Sequence, residues 1–200
     1  MWISWKHEDT DFSGPLTFEQ KVDLFYEQTL GWQLHIADLI ANGGTAFGEF
    51  KQGVEGRNVI AIRHSGFAVL HICLSYFELV GSMVTPQTSS TARFNAGVRH
   101  TFPGLFKGSA KEKALLARLY KGARCGLYHT GRTRQRVGLG SPSDGGVIGY
   151  NPASDGVSVS PELLPKALKA HLDKFRLELL NPSNGTLRKR FQDRFDSGFA

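Results

Sequence analysis

The chain has two cysteines and two methionines in 200 residues. Two cysteines, Cys73 and Cys125, exclude a framework of several disulfides, and no CxxC pair is present to hold zinc through thiolates. Both lie in segments of helical apolar spacing, so both are expected to be free thiols in a reducing, cytoplasmic setting. An uninterrupted apolar run of membrane length is also missing. Val59 to Val84 is the most hydrophobic stretch, but Arg63, His64, His71 and Glu78 break it. A span needs about 20 mostly apolar residues, so the expectation is a buried core helix and no membrane partner. The N-terminus, MWISWKHEDTD, lacks the basic start and apolar run of a secretory signal. Despite 23 glycines there is no GxxxxGK followed by Ser or Thr, and no GxGxxG between a strand and a helix. That excludes the familiar phosphate-binding loops, and the expectation is no cofactor and no metal. Acid is the scarcer charge: 18 Asp and Glu against 24 Lys and Arg give +6, and a pI near 9.4. This balance favours a polyanionic partner such as nucleic acid.

What is present is helical period. Residues 1–16 read as an arm that Trp2, Trp5 and Phe12 pin to the body. Thr17 with Gln20 makes a capping-box start. Phe18, Val22, Phe25, Thr29, Trp32, Ile36 and Leu39 then recur four and three apart, which predicts one long helix with its stripe in the core. Asn42-Gly43-Gly44 stops it, and Thr45–Gly56 reads as a loop. Asn58 is expected to cap a second helix through about Val84. Ile60, Phe67, Leu70, Leu74 and Phe77 take one side of it, and Ile62, Val69, Cys73, Tyr76 and Val80 another, which predicts a central position in the bundle. Glu78 within it needs a partner, because an isolated buried carboxylate is very costly. That partner is either a neighbouring helix or the functional residues described next.

Val84–Thr91 reads as a linker, followed by a short helix over Ala92–Thr101 that ends before Pro103-Gly104. Its Arg93, Arg99 and His100 read as a solvated face. The glycine-rich segment 131–160 carries Val147–Tyr150 and Val157–Val159, which predict a hairpin turned at residues 151–156. Ser160-Pro161-Glu162 starts a helix with Leu164, Leu168, His171, Phe175 and Leu179 inward. A short basic helix over 184–200 closes the chain. The fold class is all-α: a single domain over 1–200, a bundle of five to six helices with a small β-hairpin insertion after the motif helix.

That motif helix spans Ala110 to Gly131. Leu116, Leu119, Tyr120, Ala123 and Leu127 give its apolar face, and Gly131 stands where a helix end wants positive φ. Gly122 and Gly126, four apart, each cost about 1 kcal/mol relative to Ala, which points to another backbone passing close by. Three pairs match Arg, four to six residues, then His: Arg57 with His64, Arg93 with His100, and Arg124 with His129. Only the last closes a long helix. The segment LYKGARCGLYHTG resembles the signature helix of HEPN domains, all-helical modules many of which are metal-independent RNases. The likeness covers about Val59 to Leu180, and its specific part is Leu119–Gly131. It departs from the catalytic pattern at Cys125, where a polar residue usually follows the Arg.

The resemblance implies Arg124 and His129 as catalytic residues in a site built across a homodimer, acting on RNA as a toxin or defence component, with an antitoxin protein as a further partner. The chemistry suits them. Histidine transfers protons near its ordinary pKa of about 6.5, and the arginine fork binds a phosphate through two parallel bonds. Five residues along a helix is about 7.5 Å of rise and 140° of rotation, so one helix does not aim both at a single point. Either the end unwinds or a second copy completes the site. Tyr128 offers a hydroxyl or a stacking ring, Glu78 and Cys125 support, and Arg132, Arg134 and Arg136 stand ready for the RNA backbone. The alternative is a non-catalytic HEPN module in which the same residues bind RNA, a nucleotide or a protein, or cap the helix. A DNA-binding regulator would need a helix-turn-helix, and the basic C-terminal helix has no companion across a tight turn.

Overall fold

A computed structural model describes residues 1, 3–47, 56–105, 110–134, 136–142 and 144–198. Trp2 and the greater part of the 45–56 loop lie outside them. The chain is dominated by helices, with two small sheets set among them: α1 Phe18–Thr29, α2 His35–Asn42, β1 Gly44–Thr45, β2 Asn58–Val59, α3 Gly66–Val84, α4 Ser90–Thr101, α5 Ala110–Ala117, α6 Cys125–Thr130, β3 Val137–Leu139, β4 Ile148–Asn151, β5 Gly156–Val159, α7 Leu164–Leu180 and α8 Gly185–Gly198. The capping box forms: Thr17 Oγ1 accepts from the Gln20 amide at 3.2 Å, and Gln20 Oε1 accepts from the Thr17 amide at 2.8 Å.

The long first helix forms with a correction. A π turn over Leu30–Leu34 joins α1 to α2. Its wider turn slips the register of the apolar stripe. Val22, Phe25, Thr29 and Leu39 are buried as expected, whereas Trp32 is 49% exposed and Ile36 42%, and Leu30, Leu34 and Ala37 take the interior instead. Gly31 receives the Trp5 ring, which seats the N-terminal arm, and Ser4 Oγ donates to the buried Glu27 carboxylate at 2.7 Å.

The second helix also departs from its expected form. It begins at Gly66, not Asn58, because Asn58 and Val59 pair with Thr45 and Gly44 as a small antiparallel ladder. Ile60 (88% exposed) and Ile62 therefore lie outside any helix and outside the core. Nor is α3 surrounded. Val69, Leu70, Cys73, Leu74, Tyr76, Phe77 and Val80 are buried, but Phe67, His71 and Ser75 form an open stripe along the other side. By length and hydropathy α3 would suit a bilayer; half of that stretch is buried in the bundle.

The core is set by the crossing of α3 and α4. A methyl group on Gly81 would overlap the Arg93 carbonyl, and one on Gly97 would overlap the Phe77 carbonyl. Backbone rests on backbone, and Phe77, Phe94 and Val98 close over the contact without exposure. Helices α1 and α7 flank it, tied by the Arg176–Asp23 pair at 2.6 Å and the Tyr26–Asp173 bond at 2.7 Å. Helix α8 is anchored where Arg190 donates to the Val84 carbonyl at 3.0 Å. The cysteines are both free, and burial pushes the Cys73 thiol pKa up.

The expected hairpin forms between β4 and β5, and β3 adds to it in parallel, giving the order β3-β5-β4. Helix α7 starts at Leu164, one turn later than Ser160 suggested; Ser160 Oγ accepts from the Leu163 amide at 3.3 Å and so caps the preceding turn.

Replacing Gly97 with Ala forces the α3–α4 backbones apart. The expected loss is about 1–3 kcal/mol or more, the usual scale of overpacking. It is read as a lower urea midpoint; an unchanged midpoint would refute the backbone contact.

Candidate active site

The motif helix is three segments in series: α5, a π turn over Arg118–Arg124, and α6, which ends at Gly131 with φ 68°. The π turn decides what faces outward. It leaves the Gly122 carbonyl free to accept from the Arg134 amide at 2.9 Å, so the chain turns at Gly131 and runs back along the helix. A methyl on Gly126 would lie 2.7 Å from the Arg132 carbonyl oxygen, and one on Gly122 would lie 2.7 Å from Val137. The close-passing backbone signalled by the two glycines is therefore the chain's own return. That face is filled by the chain itself, so it is not a surface on which a second copy could pack.

Arg124 points the other way, toward α3. Its Nε and Nη2 donate to Glu78 Oε2 at 3.2 and 2.8 Å, and its Cζ lies 4.8 Å from the centre of the Tyr128 ring. Burial disfavours its charge, but the bonds and charge of Glu78 prevail, so its pKa stands above the ordinary guanidinium value. Among the described residues Nη1 has no hydrogen bond, which leaves one donor edge for a ligand. The pair borders a cleft of about 340 Å³ that also takes in His71, Ser75, Ser82, Tyr128, Arg93 and Arg194.

His129 does not line this cleft. It is exposed beyond Tyr128, the two ring centres 5.3 Å apart at 85°. The intact final turn of α6 thus separates the two, as helical rotation requires. Arg124 lies over the Tyr128 ring in the cleft, whereas His129 meets the same ring edge-to-face and points away from one common target. Tyr128 is 64% exposed and Cys125 half-buried.

Of the three arginines behind the helix, Arg132 and Arg134 are exposed. Arg136 is engaged: Asp155 takes Arg136 Nη1 at 2.6 Å, Arg118 Nη2, and the Tyr150 hydroxyl at 2.8 Å. These bonds, that of Arg118 foremost, hold the Asp155 carboxyl down at about 2. Arg118 therefore secures the sheet to the motif helix through Asp155, and Arg136, itself exposed, closes the same cluster from the sheet side. Among the described residues no three His, Cys, Asp or Glu side chains gather as a metal site would need.

The sequence reading passed over three cleft residues. His71 shares one face of α3 with Ser75 and Glu78, a spacing visible in the sequence, whereas Arg93 reaches the cleft from α4 through the Gly81 contact. Arg194 comes from a helix distant in sequence and carries no local signal. His100 and His171, read as solvated and core residues, form a chain of bonds. Tyr76 Oη lies 2.7 Å from His171 Nδ1, His171 Nε2 lies 2.9 Å from His100 Nδ1, and His100 Nε2 lies 3.3 Å from Glu178. Tyr76 keeps its proton, since burial raises its pKa well above 10. One consistent assignment has each group donating toward Glu178: Tyr76 to His171, His171 to His100, His100 to the carboxylate. This chain lies away from the cleft and ties α3, α4 and α7 together.

No protein-family model, curated protein or solved structure matches the chain.

Burial, then the charges of His100 and Lys174, push the His171 pKa down to about 4 from 6.5. Folding therefore favours its neutral form. The stability this contributes is complete above about pH 6.5 and is lost as pH falls toward 4, on the order of 2 kcal/mol. Urea midpoints measured from pH 7.5 to 4.5 should fall for the wild type and fall less for His171→Gln. Parallel curves would contradict the assignment.

Proposed function

We propose that the protein is a metal-independent endoribonuclease of HEPN type whose site is shared by two chains. One observation carries this reading: Arg124, held by Glu78, lines the cleft, while His129 stands exposed and does not line it. A second copy related by a two-fold axis would bring its His129 to the first chain's cleft and receive the reverse. The open stripe of α3 and the exposed end of α6 offer the apposed surface. RNA suits the residues because its 2′-hydroxyl is the internal nucleophile, so proton transfer and charge neutralisation suffice. Arg124 would bind the scissile phosphate through the edge that Glu78 leaves open, and Glu78 fixes the plane of the guanidinium. Arg132 and Arg134 would bear on the flanking backbone.

A non-catalytic module binding RNA, nucleotide or protein has two observations in its favour. Glu78 already neutralises Arg124, and Cys125 replaces the polar residue expected beside it. Incubation with RNA in EDTA decides between the two. The wild type should yield ends bearing 2′,3′-cyclic phosphate. His129→Ala should abolish cleavage, and Arg124→Ala should lose about 2.7–4 kcal/mol of transition-state stabilisation. RNA binding should survive both changes better than cleavage. RNA bound but left intact by the wild type would establish the binding module instead.

A further inference from the structure

The reaction needs two proton transfers, one from the 2′-hydroxyl and one to the departing 5′-oxygen, and His129 supplies one group per site. We propose that His71 supplies the other, so that each cleft works with His71 of its own chain and His129 of the second. This rests on the endoribonuclease reading above and names a residue that the motif does not contain.

His71 lies on the open stripe of α3, on the cleft wall that it shares with Glu78 and Arg124. Its ring is within 7° of parallel to that of Tyr128, with centres 6.3 Å apart. Tyr128 therefore joins the two cleft groups, with Arg124 at 4.8 Å and His71 at 6.3 Å from its ring centre. Neither nitrogen of His71 has a hydrogen bond or ion pair among the described residues. His35, by contrast, is stacked on Phe47, and His100 and His171 are bonded to each other. An exposed imidazole with both nitrogens open, beside an arginine poised for phosphate, is suited to proton transfer near neutral pH.

The step balances without a further reactant. The 2′-oxygen bonds to phosphorus as its proton passes to the neutral imidazole of one histidine. The bond from phosphorus to the 5′-oxygen breaks, its electron pair stays on that oxygen, and the imidazolium of the other histidine protonates it. The products are a 2′,3′-cyclic phosphate and a 5′-hydroxyl. The two histidines end with their protonation states exchanged and reset through water.

The test is the pH–rate profile of single-turnover RNA cleavage in EDTA for the wild type, His71→Ala, His71→Asn and, outside the cleft, the exposed Gln192→Ala. Urea midpoints and RNA affinity are measured in parallel. The wild type should give a bell. His71→Ala and His71→Asn should each cleave about 10²- to 10⁴-fold more slowly, lose one limb of the bell, and recover rate with added imidazole, while Gln192→Ala keeps the wild-type rate and bell. Urea midpoints should stay at the wild-type level, since His71 is exposed in the single chain, and RNA affinity should change far less than the cleavage rate. If the wild type cleaves and the His71 variants match its rate, or slow without a change in profile, His71 transfers no proton and the endoribonuclease reading stands without it. If the wild type does not cleave, that reading fails and the role of His71 with it.

Discussion

The contact on which the rest depends is the crossing of α3 over α4, where Gly81 meets the Arg93 carbonyl and Gly97 meets that of Phe77. Two backbones this close leave no room for side chains between them, so their apolar residues turn to either side and seal the core through Phe77, Phe94 and Val98. The crossing has a functional consequence as well. With one flank of α3 given to α4 and another to α2 and α7, the remaining stripe stays open, and His71, Ser75 and Glu78 lie along it. Arg93, brought alongside by the same contact, completes the wall of the cleft. An α3 enclosed on all sides would have a buried Glu78 and no cleft.

The two π turns do the remaining positioning. The one at Leu30–Leu34 rotates Trp32 and Ile36 outward and presents Gly31 to Trp5. The one at Arg118–Arg124 releases the Gly122 carbonyl, which captures the Arg134 amide and folds the chain back along the helix. Arg124, the last residue of that turn, is thereby directed at α3 while Arg118 is directed at Asp155. Such turns cost hydrogen-bond geometry and recur where a helix must aim particular side chains. One helix thus serves two purposes: its first residues hold the sheet and its last ones build the cleft.

Much of this was legible in the residues. Thr17 and Gln20 marked a helix start, Gly131 a helix end, residues 147–159 a hairpin, and Gly122 with Gly126 a close backbone. Glu78 was marked as needing a partner, and the partner is Arg124. Other features were not legible, for physical reasons. The start of α3 at Gly66 depends on Asn58 and Val59 pairing with residues across a loop, a preference that helical spacing does not encode. The slip at Trp32 and Ile36 comes from one wide turn that no local pattern announces. Val137–Leu139 is too short to read as a strand until β5 lies beside it. The Tyr76–His171–His100 chain and the placing of Arg194 join residues far apart in sequence, and only the packed bundle brings them together.

In the proposed enzyme each cleft combines Arg124 of its own chain with His129 of the other. Mixing two inactive proteins, Arg124→Ala and His129→Ala, after dissociation and reassembly, tests this most directly. In a mixed two-fold dimer one site keeps an intact Arg124 and an intact His129 while the other loses both. Random reassembly makes half of the dimers mixed, so activity should return to about a quarter of the wild-type level. A mixture as inactive as its two components would contradict a site shared between chains.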